Sequence, residues 1–275
     1  MNLSETYRSF VNTWECDENS HWNVQYYFRA FQQAREVFLA EASPGTIRTA
    51  PELFHVRYLR ELPAAQSILV KSGVIEGGSH DGWLVHLMEN PETGELSATC
   101  LDNFRADDTF SARIDHTEID GAMPRGLTVE APEPMGIEAL LASGNAIVSH
   151  KSVVRPFETD HEGNILFHAI VSRFTDCASH VWNHVGLTTN WLEQNDCGRV
   201  AVETKLTRIG SAPAGSAIRI VSSVTDLAEK SFAIVHQLED MRSGKPVALG
   251  EVRCVVMDLR TRKVIALPEI MSRFE

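Results

Sequence analysis

Tyr27, Phe31, Ala34 and Phe38 stand at spacings of four, three and four, which lines them up along one face of an α-helix, with Gln32, Gln33, Arg35 and Glu36 expected to turn away. Just upstream, Asp17, Asn19, His21 and Asn23 alternate with other residues. The segment Trp14 to Arg35 therefore reads as strand, polar turn and helix, with a carboxylate, an amide and an imidazole crowding the unpaired N–H groups of the first turn. Ser43 to Thr46 marks a break. Four strands follow, Phe54 to Leu62, Ser67 to Ile75, Gly82 to Glu89 and Ser97 to Phe104, rich in Val, Leu and Ile and punctuated by Pro63, Gly77-Gly78 and the turn Asn90 to Gly94. One helix followed by an antiparallel meander predicts an α+β fold with the helix's apolar face packed on the sheet.

The pattern then recurs. Leu84 to Gly94 aligns without a gap on Ile234 to Gly244, 150 positions later, and Glu158 and Asp160 fall 143 positions after Glu15 and Asp17. The loop after the helix absorbs the difference. Ile170, Phe174, Cys177 and Val181 reproduce the helical stripe of the first half, which makes an internal duplication the simplest reading. The expected organisation is a first unit over 1–113, a Pro- and Gly-bearing linker over 114–149 with a short helix near Ile137 to Ala142, and a second unit over 150–275. A single sheet of this kind has an open edge and an exposed face. Two units joined edge to edge would form an intrachain pseudo-dimer.

Composition narrows the function classes. The chain has 275 residues, 43% hydrophobic and 23% charged, with 37 acidic against 25 basic side chains and a net charge of −12. That is the balance of a soluble globular protein whose average surface repels nucleic acid and anionic membranes. Cys16, Cys100, Cys177, Cys197 and Cys254 are odd in number and scattered, against a disulfide framework or a zinc site. With no apolar signal core or membrane-length run, the expected location is the cytoplasm.

The run D-x-N-x-H-x-N from Asp17 to Asn23, with Tyr27 six residues after the His, Phe31 ten after and Ala34-Arg35 beyond, resembles the hotdog-fold acyl-thioesterases. The likeness is to the 4-hydroxybenzoyl-CoA thioesterase type and the acyl-ACP thioesterases, whose helix opens on D-x-N-x-H-V-N-N. Here Trp22 and Val24 stand at the second and fourth positions of H-V-N-N. The second half, Pro156 to Phe167 and on to Ala178, is similar to an acyl-CoA thioesterase branch with P-x-D-T-N-H-H-G-T-L-F-G-G and M-D-E-A-A. In it, Asp160 takes the place of that branch's functional Asn and Thr175 that of its functional Asp, with Asp176 one residue later. The resemblance implies a tandem double hotdog with a site at the junction of its halves. It further implies an acyl-CoA or carrier-protein thioester as substrate, no cofactor beyond the coenzyme A of that substrate, and a homo-oligomer of the double unit as an assembly open to it.

A thioester carbonyl is electrophilic without a metal, so such a site needs an activated water or carboxylate nucleophile and a place for the oxyanion. Asp17 is the candidate for the first role, with burial beside an apolar helix expected to raise its basicity. N–H groups near Trp22 and Asn23 are candidates for the second. Asn19 would hold the water or the thioester oxygen, and His21 stands open between a second base and a hydrogen-bond donor. Gly163 would let backbone donors approach a carbonyl, with Asp160 and Asn164 beside it in a second or vestigial site. Tyr27 fits the core stripe first and a substrate contact second. His86 and His236, paired by the repeat, read as structural. Asp160-His161-Glu162 is no metal cluster, because adjacent residues in a turn point apart. No G-x-S-x-G elbow occurs. Two rivals stand beside hydrolysis: a non-catalytic acyl-CoA binding module, and a hotdog enoyl-CoA hydratase or dehydratase, whose motifs the sequence lacks.

Overall fold

The computed structural model describes residues 2–42, 50–106, 109–130 and 132–274. The break expected at Ser43 to Thr46 lies outside them. The chain divides into two compact units, Met1–Arg125 and Gly126–Glu275.

The first unit runs β1 (Ser4–Phe10), a 3-10 turn (Thr13–Glu15), α1 (Val24–Ala42), β2 (Leu53–Tyr58), β3 (Ser67–Glu76), β4 (Leu84–Glu89), β5 (Leu96–Asp102), β6 (Arg113–Asp115) and α2 (His116–Ile119). Its antiparallel strands lie in the order β1-β3-β4-β5-β2, and β6 pairs parallel with the end of β3. Two sequence expectations are corrected. The stretch Trp14 to Cys16 is not a strand: Glu15 N donates to Asn12 O (3.0 Å) and winds it into the 3-10 turn, and the strand is β1, further upstream. β2 stops at Tyr58 rather than Leu62, because Leu59 N and Arg60 N both donate to Ser97 O and break the ladder.

The second unit runs α3 (Ile137–Ser143), β7 (Ala146–Val153), a 3-10 turn (Pro156–Glu158), α4 (Phe167–His184), α5 (Thr189–Gln194), β8 (Cys197–Arg208), β9 (Ala217–Thr225), β10 (Ser231–Asp240), β11 (Pro246–Asp258) and β12 (Lys263–Val264). Its order is β7-β9-β10-β11-β8, the topology of the first unit strand for strand. The offsets read in the sequence hold in space. The edge strands carry a β-bulge at Thr6 and at Ser149, 143 positions apart. The turn glycines Gly94 and Gly244 have φ of 69° and 68° and donate to Asn90 O and Asp240 O respectively.

Each long helix is buried against its sheet by the predicted stripe. Tyr27, Phe31, Ala34 and Phe38 are buried on α1, and Ile170, Phe174, Cys177 and Val181 on α4. The opposite face of α1 differs from expectation, because Gln32 and Arg35 are buried as well. Arg35 Nε donates to Asp102 Oδ2 at 2.7 Å, its guanidinium lies 5.3 Å from the Phe104 ring centroid, and both charged side chains are at most 2% exposed. A cation at this position satisfies its charge inside the fold. The corresponding positions of the second unit are Ala178 and Val252, so this ion pair belongs to the first unit alone.

The bulges give each sheet a polar chain under its helix. Thr6 Oγ1 lies 2.6 Å from Ser72 Oγ, which lies 2.6 Å from His86 Nδ1. Ser149, Ser222 and His236 repeat the arrangement at 2.6 and 2.7 Å. Both histidines face the helix: His86 lies beside Phe31, and His236 stacks on Phe174 with centroids 4.5 Å apart. Gly250 on β11 makes room there, since a Cβ would meet Phe174 at 2.2 Å.

Residues between Ile114 and Glu130 lie against the face of each sheet turned away from its helix. In the first unit Ile114 and Ile119 pack on Ile75, Val85, Leu87 and Leu101, and Arg57 Nη1 donates to Gly121 O and Met123 O. In the second, Glu203 accepts from the N–H groups of Gly126 and Leu127, and buried Lys205 donates to Thr128 O and Glu130 O while pairing with Glu251. Alternation along β2 and β8 puts these odd-numbered residues opposite the helix-facing even ones. No helix among the described residues is long and apolar enough to cross a membrane.

Burial holds His236 down to about 3, against an ordinary value of 6.5. Between those values the unfolded chain binds a proton that the folded one does not, so stability falls as pH drops through that window, by at most about 1.4 kcal/mol per pH unit from this group. Urea titrations of wild type and His236→Gln from pH 7 to pH 4 should show a shallower loss in the variant. Identical slopes would contradict a neutral buried imidazole.

Candidate active site

Seven residues before α1 form a closed loop. Cys16 and Trp22 face each other as an isolated antiparallel bridge, Asp17 N donates to His21 O (2.8 Å), and Asp17 Oδ1 accepts from Asn19 N (2.9 Å) and His21 N (3.1 Å). Ser20 N donates to Asp17 O, and Ser20 takes a φ of 62°. Asp17 thus caps its own loop. The helix cap is Asn23, whose Oδ1 accepts from Gln25 N at 3.1 Å. Among the described residues, no hydrogen bond reaches Asp17 Oδ2.

The N–H groups of Trp22 and Asn23, expected as oxyanion donors, are already used: Trp22 N donates to Leu62 O (2.8 Å) and Asn23 N to Glu15 O (2.9 Å). At the helix start, no hydrogen bond among the described residues uses the N–H of Val24. The Trp22 side chain is 3% exposed, packs on Tyr27 and donates its indole N–H to Glu15, so it serves the loop. Asn19 is exposed at the loop tip.

The pairing of Trp22 with Leu62, and the bridge between His21 and Pro63, bring a residue the sequence reading passed over to the imidazole. Glu61 Oε2 lies 3.4 Å from His21 Nε2, with both side chains half-exposed. Tyr27 is buried, and burial together with the charges of Tyr58, Glu61 and Asp17 pushes its hydroxyl far up. That hydroxyl therefore stays protonated among the acidic groups. Glu61 sits in Leu-Arg-Glu-Leu, which reads as strand, and the only local hint of a turn is Pro63.

Glu15 was likewise missed, although the repeat marks it. Its carboxylate accepts from Trp22 Nε1 (2.9 Å) and from Arg29 Nη2 (2.5 Å). Burial pushes Glu15 up, but the hydrogen bonds from Trp22 and Arg29 and the charge of Arg29 outweigh it and hold the carboxyl below its ordinary value.

The second unit rebuilds this loop with other chemistry. Asp160 Oδ1 accepts from Glu162 N (2.9 Å) and Asn164 N (2.8 Å), Gly163 takes a φ of 83°, and Thr159 and Ile165 form the bridge. Asn164 replaces His21 and spends its amide on Asp160 and Glu162. Pro213 and Gly215 repeat Pro63 and Ala65 in the facing turn, which sets Ser211 where the first unit has Glu61. Gly163 serves the left-handed turn: no atom lies within 4 Å of where its Cβ would be.

A family model described as the thioesterase-like superfamily matches residues 11–109 and 154–274, covering both loops and both long helices. The chain belongs to this superfamily. No curated protein matches it in sequence. Among solved structures the hotdog fold is shared with an oleoyl thioesterase, so described, from Lactobacillus plantarum (TM-score 0.62, 10% identity, 98% of each chain covered). It is shared too with an acyl-ACP thioesterase from Bacteroides thetaiotaomicron (0.59, 11% identity, 92% of this chain and 98% of that one) and a 12:0-ACP thioesterase from Umbellularia californica (0.57, 13% identity, 90% and 92%). At these identities the likeness is one of fold.

The loops differ in one backbone cost. A non-glycine residue in the left-handed region costs roughly 1 kcal/mol, which Ser20 bears and Gly163 avoids. Ser20→Gly should raise the urea midpoint and Gly163→Ala lower it, each by about 1 kcal/mol in unfolding free energy. Opposite signs would mean that side-chain contacts, rather than φ, set these positions.

Proposed function

We propose that the protein hydrolyses an acyl thioester to the free acid and thiol at the amino end of α1. The observation that carries this reading is the Asp17 loop: one carboxylate oxygen is fixed by the loop's own N–H groups, and the His21–Glu61 pair stands beside it.

In this reading Asp17 Oδ2 takes a proton from a water as its oxygen bonds to the thioester carbon. The tetrahedral oxyanion faces the Val24 N–H, where the helix dipole favours negative charge. The C–S bond then breaks, and the leaving sulfur takes the proton from Asp17. Glu61 fixes the orientation of the His21 ring, so that its other nitrogen faces the reacting groups. Asn164 and Ser211 supply no acid or base at the corresponding place, which leaves Asp160, Gly163 and Asn164 a loop-building role.

Acyl-CoA is the proposed substrate. A carrier-protein thioester is the second reading, favoured by two structural neighbours that bear that name. Both present the acyl group on the same kind of pantetheine thiol. Thiol release from matched acyl-CoA and acyl-carrier panels separates them by kcat/KM. Asp17→Asn should lower kcat by about 10²–10⁴-fold on either, and Glu61→Gln by less. Full activity of Asp17→Asn would refute the assignment, and binding without release by wild type would identify a binding module.

A further inference from the structure

We propose that Glu15 is a positioning residue for this hydrolysis, its buried carboxylate holding both flanks of the Asp17 loop against α1. The inference rests on the roles of Asp17 and His21 given above. Glu15 precedes the loop and Trp22 closes it; the Glu15 carboxylate bonds the Trp22 indole (2.9 Å) and its carbonyl takes the Asn23 N–H (2.9 Å). Its other oxygen reaches Arg29 on the second turn of the helix (2.5 Å), and the Arg29 guanidinium lies 4.6 Å from the centre of the Tyr26 ring. At 3% exposure this is a carboxylate with a dedicated partner for each oxygen. A single side chain therefore sets how far the loop stands from the helix start, the distance that separates the Asp17 carboxylate from the Val24 N–H.

The second unit supplies the comparison. Glu158 occupies the same position, bonds Arg173 (2.7 Å) and Arg155 N (2.7 Å), and its carbonyl takes the Leu166 N–H (2.9 Å). Where Trp22 stands, that unit has Ile165, which has no side-chain donor. The Glu158 carboxylate anchors its loop to the helix, and only its backbone carbonyl, not its side chain, ties it to the loop's far side. The extra tie accompanies the loop that carries His21 and faces Glu61, and is missing from the loop that carries Asn164 and faces Ser211.

A purely structural salt bridge would make the two glutamates equivalent. Steady-state kinetics and thermal unfolding of Glu15→Gln, Trp22→Phe, Glu158→Gln and the Glu15→Gln/Trp22→Phe double variant test this. Glu15→Gln should lower kcat by about 10- to 100-fold with KM within about twofold, since a misplacement near 1 Å is enough for such a loss. Trp22→Phe, which keeps most of the buried ring, should show part of that loss, and the double variant should be no slower than Glu15→Gln alone. Glu158→Gln should lower Tm comparably and leave kcat unchanged. Equal kcat effects at Glu15 and Glu158, or none at Glu15 in a folded variant, would overturn the proposal. If Glu15→Gln does not fold, unchanged kcat in Trp22→Phe does the same. Asp17→Asn assayed alongside keeps the two ideas apart: its full activity removes the assignment of the chemistry to the Asp17 loop, whereas its loss with Glu15→Gln intact removes only this one.

Discussion

A helix pressed along one face into a sheet leaves the polar groups on that face without water, and most of the distinctive chemistry of each unit answers that constraint. α1 and α4 cover the helix-facing side of a sheet, so an unsatisfied polar group there would cost about 1–3 kcal/mol. Arg35 finds Asp102, and the bulged Thr6 and Ser149 turn a hydroxyl inward to complete a chain through a serine to a histidine. At the amino end the same constraint makes the preceding loop close on itself, with an aspartate oxygen collecting two backbone N–H groups.

That loop is a structural solution before it is a chemical one. Both units build it with the same bridge, the same left-handed residue three after the aspartate and the same glutamate at its base, whatever the side chains around it can do. Chemistry is then a matter of what the frame presents. In the first unit the position four after the aspartate is an imidazole and the facing turn offers a carboxylate. In the second, an amide folds back onto its own loop. The aspartate is needed in both, so its presence alone does not mark a working site.

The outer faces diverge for a related reason. The cover of the first sheet packs apolar Ile114 and Ile119 on apolar strands and adds one charged side chain, Arg57, that bonds its backbone, whereas both Lys205 and Glu203 bond the backbone of theirs. A charged face under a covering segment is tolerable only when each charge has a partner, which Glu251 and the carbonyls of Thr128 and Glu130 supply to Lys205.

Local period and repetition were enough to place the two long helices, the meander, the duplication and the aspartate loops, because a buried stripe and a turn must be written in consecutive residues. The turn glycines Gly94 and Gly244 belong to the same legible class, whereas Gly163, read as making room for a carbonyl, proved to serve a left-handed turn. What the sequence could not show was partnership across distance. Arg35 reads as a solvent-facing residue until Asp102 is folded beside it, Glu61 reads as the end of a strand until the turn at Pro63 brings it to His21, and the Trp22 and Asn23 N–H groups read as free until Leu62 and Glu15 take them. Those pairings depend on strand register and on where β2 ends, which tertiary packing decides and no local pattern encodes.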